Sequence, residues 1–293
     1  MSAPYPISFE LFPPRTPEGA AKLPDVVCQL AESKPLYFSV TYGAGGSTQE
    51  GTYDTLLTVV RSCGIEAAPH LTCIGSTRAK IAELLDRYRE AGVRRIVALR
   101  GDLPAAAVNP AAPGEFHYAN ELVTFIREQH GNHFKIEVAA YPEMHTQANG
   151  AQADFDNFRR KVEAGADAAI TQFFYNVDSY IDFVERCQKA GITIPIVPGI
   201  MPILGYAHIV RLCAGCGAEL PRWLKLRLED LQDDKPGLME FGIEYVSRLC
   251  ETLMKNGAPG LHFYTINQAE PTLSLCASLS AAVTAVPQPV ALH

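Results

Sequence analysis

Short apolar runs that break off at a polar residue recur from one end of this chain to the other, and stretches with helical spacing separate them. Ile7-Ser8-Phe9 stops at Glu10, Leu36 to Val40 at Thr41, Glu66 to Pro69 at His70, and Val93 to Leu99 at Arg100. Lys135 to Ala140 stops at Tyr141, Ala168 to Thr171 at Gln172, Ile194 to Pro198 at Gly199, and Leu261 to Tyr264 closes the series. Helices are expected over 24–33, from about 48 to 63, 77–91, 119–129, 152–164, 177–190, 206–216, 222–232, 238–255 and 269–282, several of them stopped by glycine. Strands alternating with helices predict a parallel sheet. Eight of them predict closure into an α/β (β/α)8 TIM barrel. One catalytic domain is expected over 1–293, with a loose Pro- and Ala-rich tail over 284–293. The rival, an open doubly wound sheet, usually carries a glycine-rich fingerprint after its first strand. Here Leu11-Phe12-Pro13-Pro14-Arg15 stands there instead.

Composition narrows the partners. With 47% hydrophobic and 19% charged residues in 293, a large core is easily built. A net charge of -7 gives no support to nucleic-acid binding. No apolar run reaches membrane-spanning length, and Met1 to Ile7 does not read as a signal peptide. Eight cysteines in a chain this long do not make a disulfide scaffold, and Cys28, Cys63, Cys187, Cys213 and Cys250 fall on expected helices. A reducing, cytoplasmic location is expected.

Catalytic groups of such barrels stand at the carboxyl ends of the strands. That rule gathers Glu10, Thr41, His70, Arg100 with Asp102, Tyr141 with Glu143, Gln172 and Tyr264 onto one rim. Metal ligands are sparse: His70, His145 and His262 are far apart in sequence, so no metal site is expected. Cys213-Ala214-Gly215-Cys216 is a lone CxxC near the end of a helix, where a redox dithiol would stand at a helix start. Glu10, flanked by Phe9, Leu11 and Phe12, reads either as an acid with a raised pKa or as half of a structural ion pair with an arginine. Arg100 and Asp102 read as an ion pair locking a loop, or, with Gly101 between them, as a place where backbone approaches a flat or charged ligand. Gln172 beside Phe173, Phe174 and Tyr175 could hydrogen-bond a planar heterocycle, while Phe173 serves equally as core.

The same pieces resemble the methylenetetrahydrofolate reductase family. They are Ser8-Phe9-Glu10-Leu11-Phe12-Pro13-Pro14, Val40-Thr41-Tyr42-Gly43-Ala44, His70-Leu71-Thr72-Cys73 and Ala98-Leu99-Arg100-Gly101-Asp102. Further along come Ala140-Tyr141-Pro142-Glu143, Ala169-Ile170-Thr171-Gln172-Phe173-Phe174-Tyr175, Pro198-Gly199-Ile200-Met201-Pro202 and Leu261-His262-Phe263-Tyr264-Thr265. The resemblance implies a (β/α)8 barrel that holds FAD and reduces 5,10-methylenetetrahydrofolate to 5-methyltetrahydrofolate with NADH or NADPH, the two substrates using one site in turn. It implies that Glu10 is the general acid that protonates the folate at N10, that Asp102 lies by the flavin ring, and that Gln172 and Tyr264 meet the substrate. It assigns Thr41, His70, Arg100, Gly101, Asp102, Tyr141, His145, Asp154 and Lys161 to FAD; Arg100 and Lys161 are apt for the pyrophosphate and Asp154 for sugar hydroxyls. It also implies a homo-oligomer acting on small molecules.

The chain departs from the family at two points. Gln268 stands where members commonly have arginine, and Leu212 where bacterial members can have phenylalanine. The alternatives are a flavin-dependent reductase of another pterin or imine, a non-catalytic flavin- or pterin-binding subunit, and a metal-dependent aldolase barrel. The last would want clustered ligands, and the second is disfavoured by the presence of Glu10, Asp102 and Gln172 together.

Overall fold

The computed structural model describes residues 5–42, 49–101 and 114–285. Chain order is β1 (Ile7–Leu11), α1 (Pro17–Ala31), β2 (Phe38–Val40), α2 (Gln49–Cys63), β3 (Ala67–Thr72), α3 (Arg78–Glu90) and β4 (Arg95–Leu99). Then come α4 (Ala119–His130), β5 (Lys135–Ala140), α5 (Ala151–Glu163), β6 (Ala168–Thr171), α6 (Val177–Lys189), β7 (Ile196–Val197) and β8 (Gly199–Ile200). Last are α7 (Tyr206–Cys216), α8 (Arg222–Asp230), α9 (Lys235–Lys255), β9 (Leu261–Tyr264) and α10 (Thr272–Ala285). Every strand pairing is parallel. The order β7-β6-β5-β4-β3-β2-β1-β9-β8 becomes a ring because β7 and β8 are two halves of one strand, separated at Pro198. Proline has no N–H for the ladder. The first half pairs with β6, the second with β9, and the barrel closes through them.

Among the boundaries that differ from the sequence reading, three have a local reason. The first helix starts at Pro17 and not at Pro24, because Thr16 accepts from the N–H of Gly19 at 3.1 Å and proline suits the first helical position. The third strand runs through His70 to Thr72, so His70 lies within it, opposite Val97. The ninth helix starts at Lys235, capped by the Asp234 side chain. The expected caps Ser47 and Thr48, and most of the loop after Gly101, lie outside the described residues. So does the expected tail from 286 onward, whereas Thr284 and Ala285 belong to α10.

Strand residues alternate between the two faces. Phe9, Phe38 and Phe263 share register on the outer face, wholly buried, with ring centroids 5.7 and 6.0 Å apart. Each contributes roughly 2–3 kcal/mol of burial. The inner face is polar. Ser8 lies opposite His262, and Glu10 lies between Ser39 and Tyr264. Near the strand starts, the carboxylate of Glu137, 2% exposed, accepts from the Tyr37 hydroxyl and the Arg95 guanidinium, both at 2.5 Å. Arg95 also covers the Tyr37 ring at 4.1 Å. No helix among the described residues is long and apolar enough to cross a membrane.

Candidate active site

The inner face of β1 carries Glu10 to the upper part of the barrel. Its Oε2 lies 3.4 Å from His70 Nε2 on β3 and 3.8 Å from His262 Nε2 on β9. Phe9 and Leu11, its apolar neighbours in sequence, face the helices instead. The expected arginine partner is absent among the described ion pairs, and two imidazoles stand there. Burial holds the His70 imidazole below its ordinary pKa against the pull of Glu10, so it is neutral at pH 7. The mouth ends of β1 and β9 are stitched by Asn267. Its Oδ1 accepts from Phe12 N at 2.9 Å and its Nδ2 donates to Phe12 O at 2.7 Å. The Thr265 hydroxyl donates to Glu10 O at 2.6 Å.

A second cluster forms where β4 and β5 end and α5 begins. Arg100 Nη2 donates to Gln147 Oε1 at 2.5 Å, and Gln147 N donates to His145 Nδ1 at 3.0 Å. His145 N donates to Asp154 Oδ2 at 3.1 Å, and its ring meets that of Tyr141 edge-on at 4.6 Å. Lys161 reaches back from α5 over the Tyr141 ring at 5.8 Å and donates to Ala139 O. Burial lowers its pKa to about 8, with Asp154 opposing. Gly101 has φ +88°, and a Cβ there would lie 2.9 Å from Thr72 Cβ and 3.0 Å from Ile74 Cγ2, so this turn needs glycine before any ligand is considered. Thr41, at the end of β2, donates its N–H to Leu11 O at 2.9 Å, while its buried Oγ1 finds no hydrogen-bond partner among the described residues.

On the far side, Gln172 follows β6. Its Oε1 accepts from Phe173 N at 3.0 Å, which fixes the orientation of the amide. Gln172, Tyr141, Glu143, Met144 and Cys216 line one hollow. Phe173, Phe174 and Tyr175 are buried, the core alternative. Tyr264 reaches across β8 and donates to Thr171 O at 2.7 Å. Glu143 ties loops together, accepting from Glu219 N at 2.7 Å and from the Ser179 hydroxyl at 3.4 Å, and burial raises its pKa. Cys213 is pushed up to about 12 by burial and Cys216 is raised as well, so both thiols stay protonated. All eight cysteines are free. No group of three or more metal-ligating side chains placed to hold an ion occurs among the described residues.

The fold therefore links Arg100, Gly101, Tyr141, His145, Asp154 and Lys161 in one run of contacts, and brings Glu10 and His70 together. Asp102 lies outside the described residues. Leu212 is half-buried against the core and Gln268 is exposed. The sequence reading missed Ser8, His262, Gln147 and Asn267. Ser8 and His262 were legible in principle, since Ser8-Phe9-Glu10 and His262-Phe263-Tyr264 alternate polar and apolar, which puts both polar residues of each trio on one strand face. Gln147 and Asn267 sit in loops and carry no such signal.

The family model for methylenetetrahydrofolate reductase matches residues 2–280. The chain is 39% identical over 273 residues to the 5,10-methylenetetrahydrofolate reductase of Pectobacterium carotovorum subsp. carotovorum, covering 93% of this chain and 89% of that one. It is 40% identical over 273 residues to the 5,10-methylenetetrahydrofolate reductase of Escherichia coli (strain K12), covering 93% and 90%. Among solved structures, it superposes with TM-score 0.64 and 15% identity, over 95% and 94% of the two chains, on an uncharacterized protein from Clostridium thermocellum that binds two copies of 5-methyl-5,6,7,8-tetrahydrofolic acid. At that identity the likeness is one of fold.

Proposed function

Because the chain belongs to the methylenetetrahydrofolate reductase family, we propose that it reduces 5,10-methylenetetrahydrofolate on a bound FAD, with NADH or NADPH as electron donor and the two substrates taking turns at one site. Reduction of the folate is the family's reaction. The donor set at the ends of β2, β4 and β5 fits a flavin dinucleotide. Arg100 and Lys161 supply positive charge for a pyrophosphate, Asp154 a carboxylate for sugar hydroxyls, and Thr41 Oγ1 is a buried group without a partner among the described residues. When bound, the flavin supplies two-electron transfer between nicotinamide and folate.

The chain's own groups do the rest. Glu10 delivers a proton to the folate amine nitrogen as its five-membered ring opens. Gln172 hydrogen-bonds the heterocycle, and Tyr264 walls the site above β8. Gly101 and His70 complete the cofactor side. We assign Asp102, beyond the described residues, to the flavin ring. The observation that carries the reading is the setting of Glu10: its neighbours are imidazoles, which exchange protons with a carboxyl group, and not a guanidinium, which does not. The enzyme is read as a cytoplasmic homo-oligomer that acts on small molecules.

One cuvette tests this. The purified protein should show a flavin spectrum that bleaches on anaerobic NADH or NADPH and returns on 5,10-methylenetetrahydrofolate. Bleaching without return would point to another pterin or an imine as acceptor. A colourless protein that FAD does not reconstitute would overturn the flavin.

A further inference from the structure

We propose that Glu143 is a positioning residue for the substrate end of the site: its carboxylate docks the C-terminal end of α7 onto the loop after β5 and so fixes the wall that shares a hollow with Gln172. This rests on the reading of Gln172 as the residue that meets the heterocycle. Three separate segments meet at this one side chain. Glu143 itself belongs to the loop after β5. Its Oε2 accepts at 2.7 Å from Glu219 N, in the connection between α7 and α8, and its Oε1 accepts at 3.4 Å from the Ser179 hydroxyl of α6. The same three regions close the hollow around Gln172. Met144 comes from the loop after β5, Phe173 from the segment leading to α6, and Cys216, Gly217 and Ala218 from the end of α7. Among the described residues Glu143 enters no ion pair, so its half-buried carboxylate is held by hydrogen bonds and not by a cation.

The helix needs such a tie. Of the eleven residues of α7 only Ile209 and Cys213 are buried, and its first turn has no side-chain cap, so packing alone holds it lightly. Its far end is pressed onto the loop after β5 at a second point. Gly217 closes the helix at φ +76°, and a Cβ there would lie 2.5 Å from Thr146 Cγ2. The loop is turned to make both contacts. Met144 holds φ +84°, a conformation uncommon outside glycine, and sits between Glu143, which reaches past the end of α7, and His145, whose N–H donates to Asp154. Cofactor-side and substrate-side contacts therefore leave one loop from neighbouring residues. Leu212 stands one turn before Cys216, so the docking of α7 sets its place as well. A carboxylate that served stability alone could join any two surface loops; this one joins the three segments that line one hollow.

The test compares Glu143→Ala, Glu143→Asp, Glu143→Gln, Gln172→Ala and the Glu143→Ala/Gln172→Ala double variant. In FAD-loaded protein, Glu143→Ala and Glu143→Asp should retain flavin and the limiting rate of reoxidation. The methylenetetrahydrofolate concentration for half-saturation should rise on the order of tenfold in both. Glu143→Gln keeps an acceptor for Glu219 N, and the Ser179 hydroxyl can turn to accept from its amide, so half-saturation should return to within about twofold of wild type. In the Gln172→Ala background, Glu143→Ala should raise it by no more than about twofold. In cofactor-free protein the Glu219 amide should exchange its hydrogen on the order of tenfold faster in Glu143→Ala and Glu143→Asp, and at the wild-type rate in Glu143→Gln. Urea midpoints report whether each variant folds, and Glu143→Asp carries the comparison if Glu143→Ala does not. Unmoved half-saturation beside faster exchange, a fall in limiting rate alone, unchanged exchange, or failure of Glu143→Gln to restore would overturn the proposal. Wild-type half-saturation in Gln172→Ala would instead remove the reading of Gln172, and the exchange rates would still decide the docking of α7.

Discussion

Gly199 and Tyr264 share one space. A Cβ on Gly199 would lie 2.6 Å from Tyr264 Cε2, 2.7 Å from its hydroxyl oxygen and 2.2 Å from Thr171 O. The tyrosine needs that opening to reach Thr171. Gly199→Ala should therefore expel the ring and destabilise the protein by about 1–3 kcal/mol, read as a lowered midpoint in urea. Because Tyr264 walls the proposed site, the KM for methylenetetrahydrofolate should rise in the same variant.

Glu10→Gln keeps the shape of the side chain and removes its exchangeable acid. Flavin content and bleaching by the nicotinamide should be retained, while reoxidation by the folate falls by about 10²–10⁴. Stopped-flow absorbance separates the two. Parallel losses in both would count against Glu10 as the acid.

Lys161 carries a lowered pKa, about 8 against an ordinary 10.5, because its amine is buried. A dianionic pyrophosphate nearby would reverse that shift and draw a proton onto the amine. FAD binding to cofactor-free protein at pH 8–9 should take up protons, seen by calorimetry in buffers of different ionisation heat. Lys161→Gln should abolish the uptake.

The His70 imidazole titrates below its unfolded value of 6.5 because it is buried. As pH falls below about 6.5 the unfolded chain binds the proton first, so the folded state loses stability from there down to the folded pKa. His70→Gln should lack this slope. Denaturant unfolding of cofactor-free protein between pH 7 and 5 should show the variant gaining on wild type as the solution is acidified.

Asn267 stitches β1 to β9 through both polar atoms of the Phe12 backbone. It does so at φ +52°, in the left-handed region that asparagine tolerates better than most residues. Asn267→Ala removes two hydrogen bonds and should cost about 1–3 kcal/mol. The end of β1 that carries Glu10 should loosen with it, measurable as faster hydrogen exchange at Thr265, whose N–H is bonded to Glu10 O.

The barrel was legible because its signal is repeated: β5, β6 and α7 begin and end where the apolar runs and helical spacing put them. The rim residues Arg100, Tyr141 and Gln172 were legible because a polar residue directly after an apolar run marks a strand end. His70 was placed one step wrong since its strand continues through it, a polar residue inside a barrel being indistinguishable in sequence from one that ends a strand. Ser8 and His262 were passed over although their alternation with Phe9 and Phe263 marks the inner face. The start of α1 was missed for a different reason: Pro24 resembles a helix beginning, but the Thr16 cap and Pro17 make an earlier one.

The break at Pro198 leaves the barrel wall uneven. From β4 through β6 each strand pairs with the next over four residues. At the seventh position the grip is divided, Ile196 and Val197 holding β6, Gly199 and Ile200 holding β9. The ring is thus a bracelet with a clasp, and Tyr264, anchored on β9 and fastened to Thr171 on β6, is the pin through it. Opening there would need no ladder elsewhere to break. The hydroxyl of Tyr264 thus ties the two sides of the divided strand together where neither ladder spans both.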